Sequence, residues 1–352
     1  MADVFEAICK ASMGIYSCLS DEISKMIFRM RLLFSLTGDY KSISYIVRST
    51  PELQQQLDSF VSSFAGECVI VYGAGTRGRL FLDICNNKVE IIAFCDTDEA
   101  KQGTLLNGFP IISMLEMKGK YEDRSIVISP MDYKEILADL LKMGFTEDRI
   151  HILSHFLEKN SNSQYFDETV PISRGGRFVD AGAYDFETAR RFMKWSEYEY
   201  DRIIAFEPNK EQYSLCVEKA SGFRDIVVYS CGLWNENGEI SFICDKTSPY
   251  YSRVTKERLG QSEQISVVKL DYVLDGERVD FIKMDIEGSE LNALKGAEFT
   301  IKAYHPKLAI SVYHNPEDII EIPQYILSLN SDYKLYLRHY STSHFDTVLY
   351  AV

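Results

Sequence analysis

Five short apolar runs between residues 177 and 314, carried in RFVDAG, RIIAFEP, DIVVYSCGLW, VDFIKMD and KLAISVYH, alternate with helix-length polar segments. Runs this short and this uniformly apolar are strands buried on both faces, and the segments between them are crossover helices of a parallel sheet. Two more runs, YKLYLRHYS and DTVLYAV, lie close together with no helical segment between them. They are read as a terminal antiparallel pair on the same sheet. The expectation for residues 175–352 is a seven-stranded α/β domain.

Ligands of open parallel sheets bind at the carboxyl ends of the strands, so the loops there carry the functional information. The first strand runs into VDAGAYDFET, Val179 to Thr188, and the second ends in AFEPN, Ala205 to Asn209. The loop holds Asp180, Asp185 and Glu187 but only one glycine, Gly182. A pyrophosphate would meet three carboxylates there. A cationic nucleoside without phosphate fits better, and S-adenosylmethionine, with its sulfonium and ammonium groups, has that chemistry. Asp180 is placed to hold the ammonium directly or through water, and Gly182 to let the backbone approach the nucleoside. Glu207 is placed to accept hydrogen bonds from both ribose hydroxyls, the alternative being a surface acid that caps the next helix. Asp185, Thr188, Asn209 and Gly232 complete this expected donor site. The stretch from Cys231 to Trp234 either walls the adenine or is core.

A second glycine-rich loop, VIVYGAGTRGR, runs from Val69 to Arg79 with the opposite charge. Gly73, Gly75 and Gly78 have the spacing of a dinucleotide loop, Arg77 adds positive charge at a helix start, and Asp96 follows about 20 residues later as a ribose acid would. The strands and helices from Cys68 to about Leu153 form a Rossmann-like unit. Through GAGTRGR, FCDTDEAKQG and NGFPIIS, this stretch resembles the small nucleotide-binding domain of bacterial sugar acetyltransferases, which implies either a nucleotide or nucleotide-sugar ligand or a fold kept as scaffold.

The expected organisation is a helical segment over 1–66, a Rossmann-like domain over 67–157, a polar linker over 158–174 and the larger domain over 175–352. In the first segment Ile23, Met26, Ile27, Met30, Leu33 and Phe34 recur at helical spacing, a face suited to core packing or a homodimer contact. Thr50 and Pro51 mark a helix start as N-cap and first residue. Eight cysteines without paired short spacings predict neither disulfides nor a zinc site. A net charge of -14 with no basic block argues against nucleic-acid partners. No run reaches the roughly 20 apolar residues of a membrane span, and no leader is recognisable, so a cytoplasmic location is expected.

The segments FVDAGAYDFET, FEPN, VDFIKMDIEGSELNALKGA (Val279 to Ala297), SVYHNPED and RHY together resemble the FkbM-type methyltransferases over nearly all of residues 175–352. The resemblance implies a class I methyltransferase fold, S-adenosylmethionine as donor, and transfer to an oxygen of a sugar, glycan or secondary metabolite in a bacterial setting. Phe186 departs from the smaller residue common in relatives. The competing reading is a non-catalytic nucleotide-sugar-binding or scaffolding protein.

Within the fourth strand Lys283 and Asp285 share one face, and a buried lysine needs a partner, either Asp285 or Asp180. Asp285, Glu287 and His314 stand at the carboxyl rim as candidate general bases, and His339 is expected to reach the same rim. Asp285, Glu287 and a histidine are also a possible divalent-cation set. The acceptor, small or nucleotide-linked, is expected against Thr247 to Gln264, including Tyr250, Tyr251 and Arg253.

Overall fold

A computed structural model describes residues 2–85, 88–154, 163–169, 171, 174–243, 253–255 and 262–352, with backbone alone at 2–9, 242–243, 253–255 and 262–263. His155, residues 158–162, 170, 172 and 173 of the expected linker, and Tyr250 and Tyr251 of the expected acceptor region lie outside these residues. The chain forms two compact units, one of Thr37–Ser161 with Tyr340–Phe345, the other of Met1–Leu36, Asn162–His339 and Asp346–Val352.

The smaller unit carries β1 (Cys68–Tyr72), β2 (Glu90–Cys95), β3 (Leu105–Leu106), β4 (Phe109–Ile112), β5 (Ser125–Ile128) and β6 (Ile150–Ile152), in the order β3-β4-β2-β1-β5-β6. All neighbours are parallel except the β3–β4 hairpin. Ile70, Ala93, Ile126, Ile128 and Leu140 form its core. Helices Lys41–Ser49 and Pro51–Ser62 precede β1. Pro51 opens the second of them, but Thr50 turns its hydroxyl back to donate to the Ile46 carbonyl, 2.9 Å away, and makes no side-chain cap.

In the larger unit β7 (Arg177–Ala181), β8 (Arg202–Phe206) and β9 (Ile226–Tyr229) are joined by helices Glu187–Trp195 and Lys210–Ala220. A small sheet follows, of β10 (Gly232–Leu233), β11 (Gly238–Ile243), β12 (Arg253–Thr255) and β13 (Ser262–Val268). The main sheet resumes with β14 (Phe281–Met284), β15 (Lys307–Ser311), β16 (Leu335–His339) and β17 (Thr347–Ala351), in the order β16-β17-β15-β14-β7-β8-β9. Seven strands with a terminal antiparallel pair are as expected, and β17 inserts between β15 and β16. Among the described residues, the connection from β9 to β14 holds this small sheet and the short helix Leu270–Leu274, where a helical crossover alone was expected. Its SFI and SEQISVV stretches alternate with a period of two, the pattern of a half-exposed sheet.

Every residue of β14 is buried, and Phe178, Phe192 and Phe281 share the core beneath the sheet, with the first two rings stacked at 4.2 Å. The helix Glu22–Thr37 also belongs to this unit, apart from its final residue, but the expected apolar face is rotated. Ile27, Phe28, Ser24 and Arg31 are buried, whereas Ile23 and Leu33 are exposed. Polar pairing turns the helix: the Arg338 guanidinium donates to both Asp21 carboxylate oxygens at 3.3 and 2.8 Å, and Ser24 accepts from the Leu337 amide at 2.8 Å. Among the described residues no helix is long and apolar enough to cross a membrane.

Asp21's carboxyl lies below the ordinary range, because Arg338 and Ser24 together outweigh the burial that would raise it. Arg338→Ala should therefore cost about 2–4 kcal/mol in urea unfolding at neutral pH, Asp21 keeping partial access to water. The group is depressed in the folded state, so its contribution is present above about pH 4 and fades as pH falls through that range. An equal loss at pH 3 and pH 7 would contradict this.

Candidate active site

The register of β14 against β7 sets Lys283 beside Asp180. Lys283 is 2 % exposed and Asp180 0 %. The Lys283 ammonium lies 3.0 Å from Asp180 Oδ1 and donates to the carbonyls of Ala181 at 3.0 Å and Gly182 at 2.7 Å. Of the two partners open to Lys283 in the sequence, it takes Asp180. Burial pushes the Asp180 carboxyl up, with Lys283 opposing. Asp180 thus sits beneath the loop as the counter-ion of Lys283, away from the surface a ligand would touch.

Gly182 has φ +76°, and a Cβ there would overlap the Asp285 carbonyl oxygen. The glycine is demanded by the approach of two strand ends. Beyond it the loop is fixed by β8: the Gly182 and Ala183 amides donate to the Phe206 carbonyl, and the Tyr184 amide donates to Glu207 Oε2 at 2.9 Å. Glu207 Oε1 accepts from the Asn209 amide at 2.9 Å. Glu207 is buried, which raises its proton affinity against those two N–H groups. Each carboxylate oxygen keeps a further lone pair.

Tyr184 and Phe186 adopt φ +47° and +69°, the left-handed region that bulky residues avoid. Phe186 is fully buried, so its bulk fills the core and does not narrow the loop. Asp185 Oδ1 accepts from the Glu187 amide and Asn209 Oδ1 caps helix Lys210–Ala220, so both serve the local backbone. Thr188 is half-buried in the first helical turn, and Gly232, half-buried, opens β10. Trp234 is buried, with its carbonyl against Gly296.

At the neighbouring strand ends four ionisable groups meet. His314 Nδ1 lies 3.0 Å from Glu290 Oε1, and its Nε2 lies 3.5 Å from both Asp285 Oδ1 and Glu287 Oε2. Burial alone would discharge this imidazole, but the Glu290, Asp285 and Glu287 carboxylates outweigh it and push its pKa up to about 10. Asp285 accepts from the Tyr165 hydroxyl at 2.6 Å and from the Tyr313 hydroxyl at 2.9 Å. Burial works to raise Asp285, yet His314, Lys283 and the two hydroxyls bring it below its ordinary value. Glu287, at φ +56°, is pushed up to about 7 by burial, with His314 opposing.

Asp285, Glu287 and His314 are therefore brought together, and Glu290, Tyr165 and Tyr313 join them without having been singled out in the sequence. Glu290 reads there as a helix-start acid, Tyr313 as part of a buried run, and Tyr165 falls at the end of a polar stretch. His339 ends β16 at the same edge of the sheet, three strands from β14 and so roughly 14 Å away at ~4.8 Å per strand, and its Nδ1 lies 2.8 Å from the Thr347 hydroxyl.

Asp285, Glu290 and His314 present atoms within 4.8 Å of one another, a grouping that could hold a metal ion. A doubly protonated imidazole offers no lone pair, so in this charge state the histidine supplies the positive charge itself.

In the smaller unit the glycine loop leads from β1 into helix Thr76–Cys85. Asp96 accepts from the Ala74 amide at 2.8 Å, the Asp98 amide at 2.9 Å and the Lys101 ammonium at 3.1 Å. A Cβ at Gly78 would overlap the Gly73 carbonyl, and one at Gly73 would press on Ser129, whereas Gly75 faces open space. Arg77 is half-buried in the first turn of helix Thr76–Cys85.

A parallel-dominated seven-stranded sheet with an acid at the end of its second strand and a terminal antiparallel pair defines the class I methyltransferase fold. Residues 180–335 match the methyltransferase FkbM domain, so the larger unit carries an FkbM methyltransferase domain and the protein is a methyltransferase. Residues 66–151 match the C2185-like N-terminal domain. The crystal structure of methyltransferase FkbM from Methylobacillus flagellatus KT is 19% identical, with 91% of this chain and 100% of that chain covered and a TM-score of 0.50, a likeness of fold. Fibrillarin from Aeropyrum pernix, solved with natively bound S-adenosyl-L-methionine, aligns over 52% of this chain and 69% of its own at 11% identity and TM-score 0.34. No curated protein matches the sequence.

Gly182→Ala should be among the most damaging single changes, because strain at positive φ adds to overlap with backbone. We expect a loss of roughly 3 kcal/mol or more in denaturant unfolding. Gly75→Ala, facing open space, should lie within about 0.5 kcal/mol of wild type.

Proposed function

We propose that the protein is an S-adenosylmethionine-dependent O-methyltransferase whose acceptor is a hydroxyl of a sugar, glycan or other small metabolite. The observation that carries the reading is the pairing of two carboxylates at strand ends. Glu207 is locked by backbone amides with lone pairs to spare, and Glu287 is poised near neutrality beside an imidazolium. The first suits a ribose diol and the second suits proton removal.

In this reading the donor lies over the loop 182–187 with its ribose on Glu207. The acceptor oxygen attacks the methyl carbon in line, the carbon–sulfur bond breaks with its electron pair going to sulfur, and the acceptor proton passes to Glu287. Asp285 is too firmly held as an anion to be the base, and His314 already carries its proton. His314 instead steadies the Asp285 and Glu287 carboxylates electrostatically. Holding the acceptor at attack distance supplies much of the remaining acceleration.

We infer that the catalytic unit includes helices Ala2–Cys18 and Glu22–Thr37 as well as residues from Asn162 onward, apart from Tyr340–Phe345. The smaller unit is read as a scaffold, Asp96 carrying the Lys101 ammonium in addition to loop amides of the kind that Glu207 holds.

Calorimetric titration should show saturable S-adenosylmethionine binding that weakens at least tenfold in Glu207→Ala; no binding by folded wild type would sink the proposal. Glu287→Gln should keep donor affinity and lower kcat by about 10²- to 10⁴-fold. Because the base must be ionised, the wild-type rate should climb with pH and level off above about 7. A profile flat from pH 5 to 9 would exclude Glu287.

A further inference from the structure

Tyr165 lies before the stretch that matches the methyltransferase domain, inside what reads as a linker, yet it is 3 % exposed with its side chain in the site. Its backbone is held at φ +69°, a conformation a bulky residue keeps only when its surroundings force it. Three contacts do so. Arg191 donates to the Gln164 carbonyl at 2.7 Å, the Tyr165 amide donates to the Tyr350 hydroxyl at 2.9 Å, and Phe166 packs among Phe178, Phe192, Trp195 and Phe281. The strain thus aims one side chain. The Tyr165 ring lies 5.3 Å from the Lys283 ammonium and its hydroxyl donates to Asp285 at 2.6 Å, touching both charged residues of β14 and its end.

We propose that Tyr165 is a positioning residue of the methyltransferase site, whose hydroxyl fixes Asp285 as an oriented anion facing His314. The inference rests on the reading of this site as the place of methyl transfer. The groups around Asp285 are Lys283, Asp180, Glu287, Glu290, His314, Tyr313 and Tyr165. Two are cations and three are carboxylates, so the tyrosine hydroxyls are the neutral groups that favour the ionised form by hydrogen bonding. With one hydroxyl removed, Asp285 keeps its place but loses part of what holds it ionised. Its attraction for the His314 proton weakens, and with it the arrangement presented to Glu287.

The test is a carbon-13 NMR titration of the Asp285 carboxyl in wild type and Tyr165→Phe, with thermal unfolding and S-adenosylmethionine calorimetry on the same samples. Loss of a hydrogen bond to a charged group should raise the Asp285 midpoint by about one to two pH units. Melting temperature should move by no more than a few degrees, and donor affinity by less than about threefold. A fluorotyrosine at position 165, a stronger donor, should move the midpoint the other way and serves if the phenylalanine variant does not fold. An unchanged midpoint overturns the proposal, as does a shift matched by Tyr333→Phe, whose hydroxyl bonds the Pro306 carbonyl elsewhere in the unit. The calorimetry reports separately on the methyl-donor reading: wild type that binds no donor sinks that reading while leaving the Asp285 result legible.

Discussion

The ion pair between Lys283 and Asp180 is the constraint from which the rest of the site follows. Two opposite charges stand almost wholly out of water in adjacent strands, an arrangement that costs several kcal/mol per ion unless every polar atom is well placed. The ammonium donates to the two carbonyls that lead out of β7 and lies 3.0 Å from one Asp180 oxygen. The lysine therefore dictates where the chain goes after the strand. That path brings Gly182 against the Asp285 carbonyl, sets the next amides under Phe206 and Glu207, and leaves the loop open above.

Identical chemical groups acquire different roles from their surroundings on this edge. Asp285 and Glu287 are two residues apart and share His314, yet one is held below its usual proton affinity and the other well above. The difference lies in hydrogen bonding. Asp285 receives two phenolic hydroxyls, whereas burial dominates at Glu287. Pairs of carboxyls driven apart in this way are how one site supplies both a fixed anion and a proton acceptor near pH 7.

Much of this is legible in the amino-acid sequence, for physical reasons. Apolar runs mark buried strands, and the residue that ends each run stands at the carboxyl edge, so Glu207, Asp285 and His314 can be placed without coordinates. Lys283 inside such a run can survive only with a partner, which narrows its choice to two. Pattern fails where a role is set by long-range packing. Tyr165 reaches Asp285 across 120 positions of sequence, and nothing local distinguishes it. Glu290 resembles any acid in a first helical turn until His314 arrives from the next strand. Ile23 and Leu33 belong to an apolar stripe, but Arg338 and Ser24 set the rotation of their helix. Asp96 has the right type and spacing for a sugar, and only the fold shows the Lys101 ammonium on one of its oxygens.

The place of β17 has a consequence for how the larger unit comes into being. This strand follows every other strand of its sheet in the chain, yet it is an interior strand, flanked by β15 and β16. Until it emerges from the ribosome, β15 exposes an unpaired edge, and β16 has no neighbour to hold it. The helix Glu22–Thr37, made early, meets Leu337 across 313 positions. Such long-range closure is slow, and the waiting edge is open to association with other chains. The stretch Thr37–Ser161, whose strands pair within a far shorter span, has all the partners for its own sheet much sooner. The nascent chain thus finishes these two sheets in an order opposite to that in which their flanking helices are made.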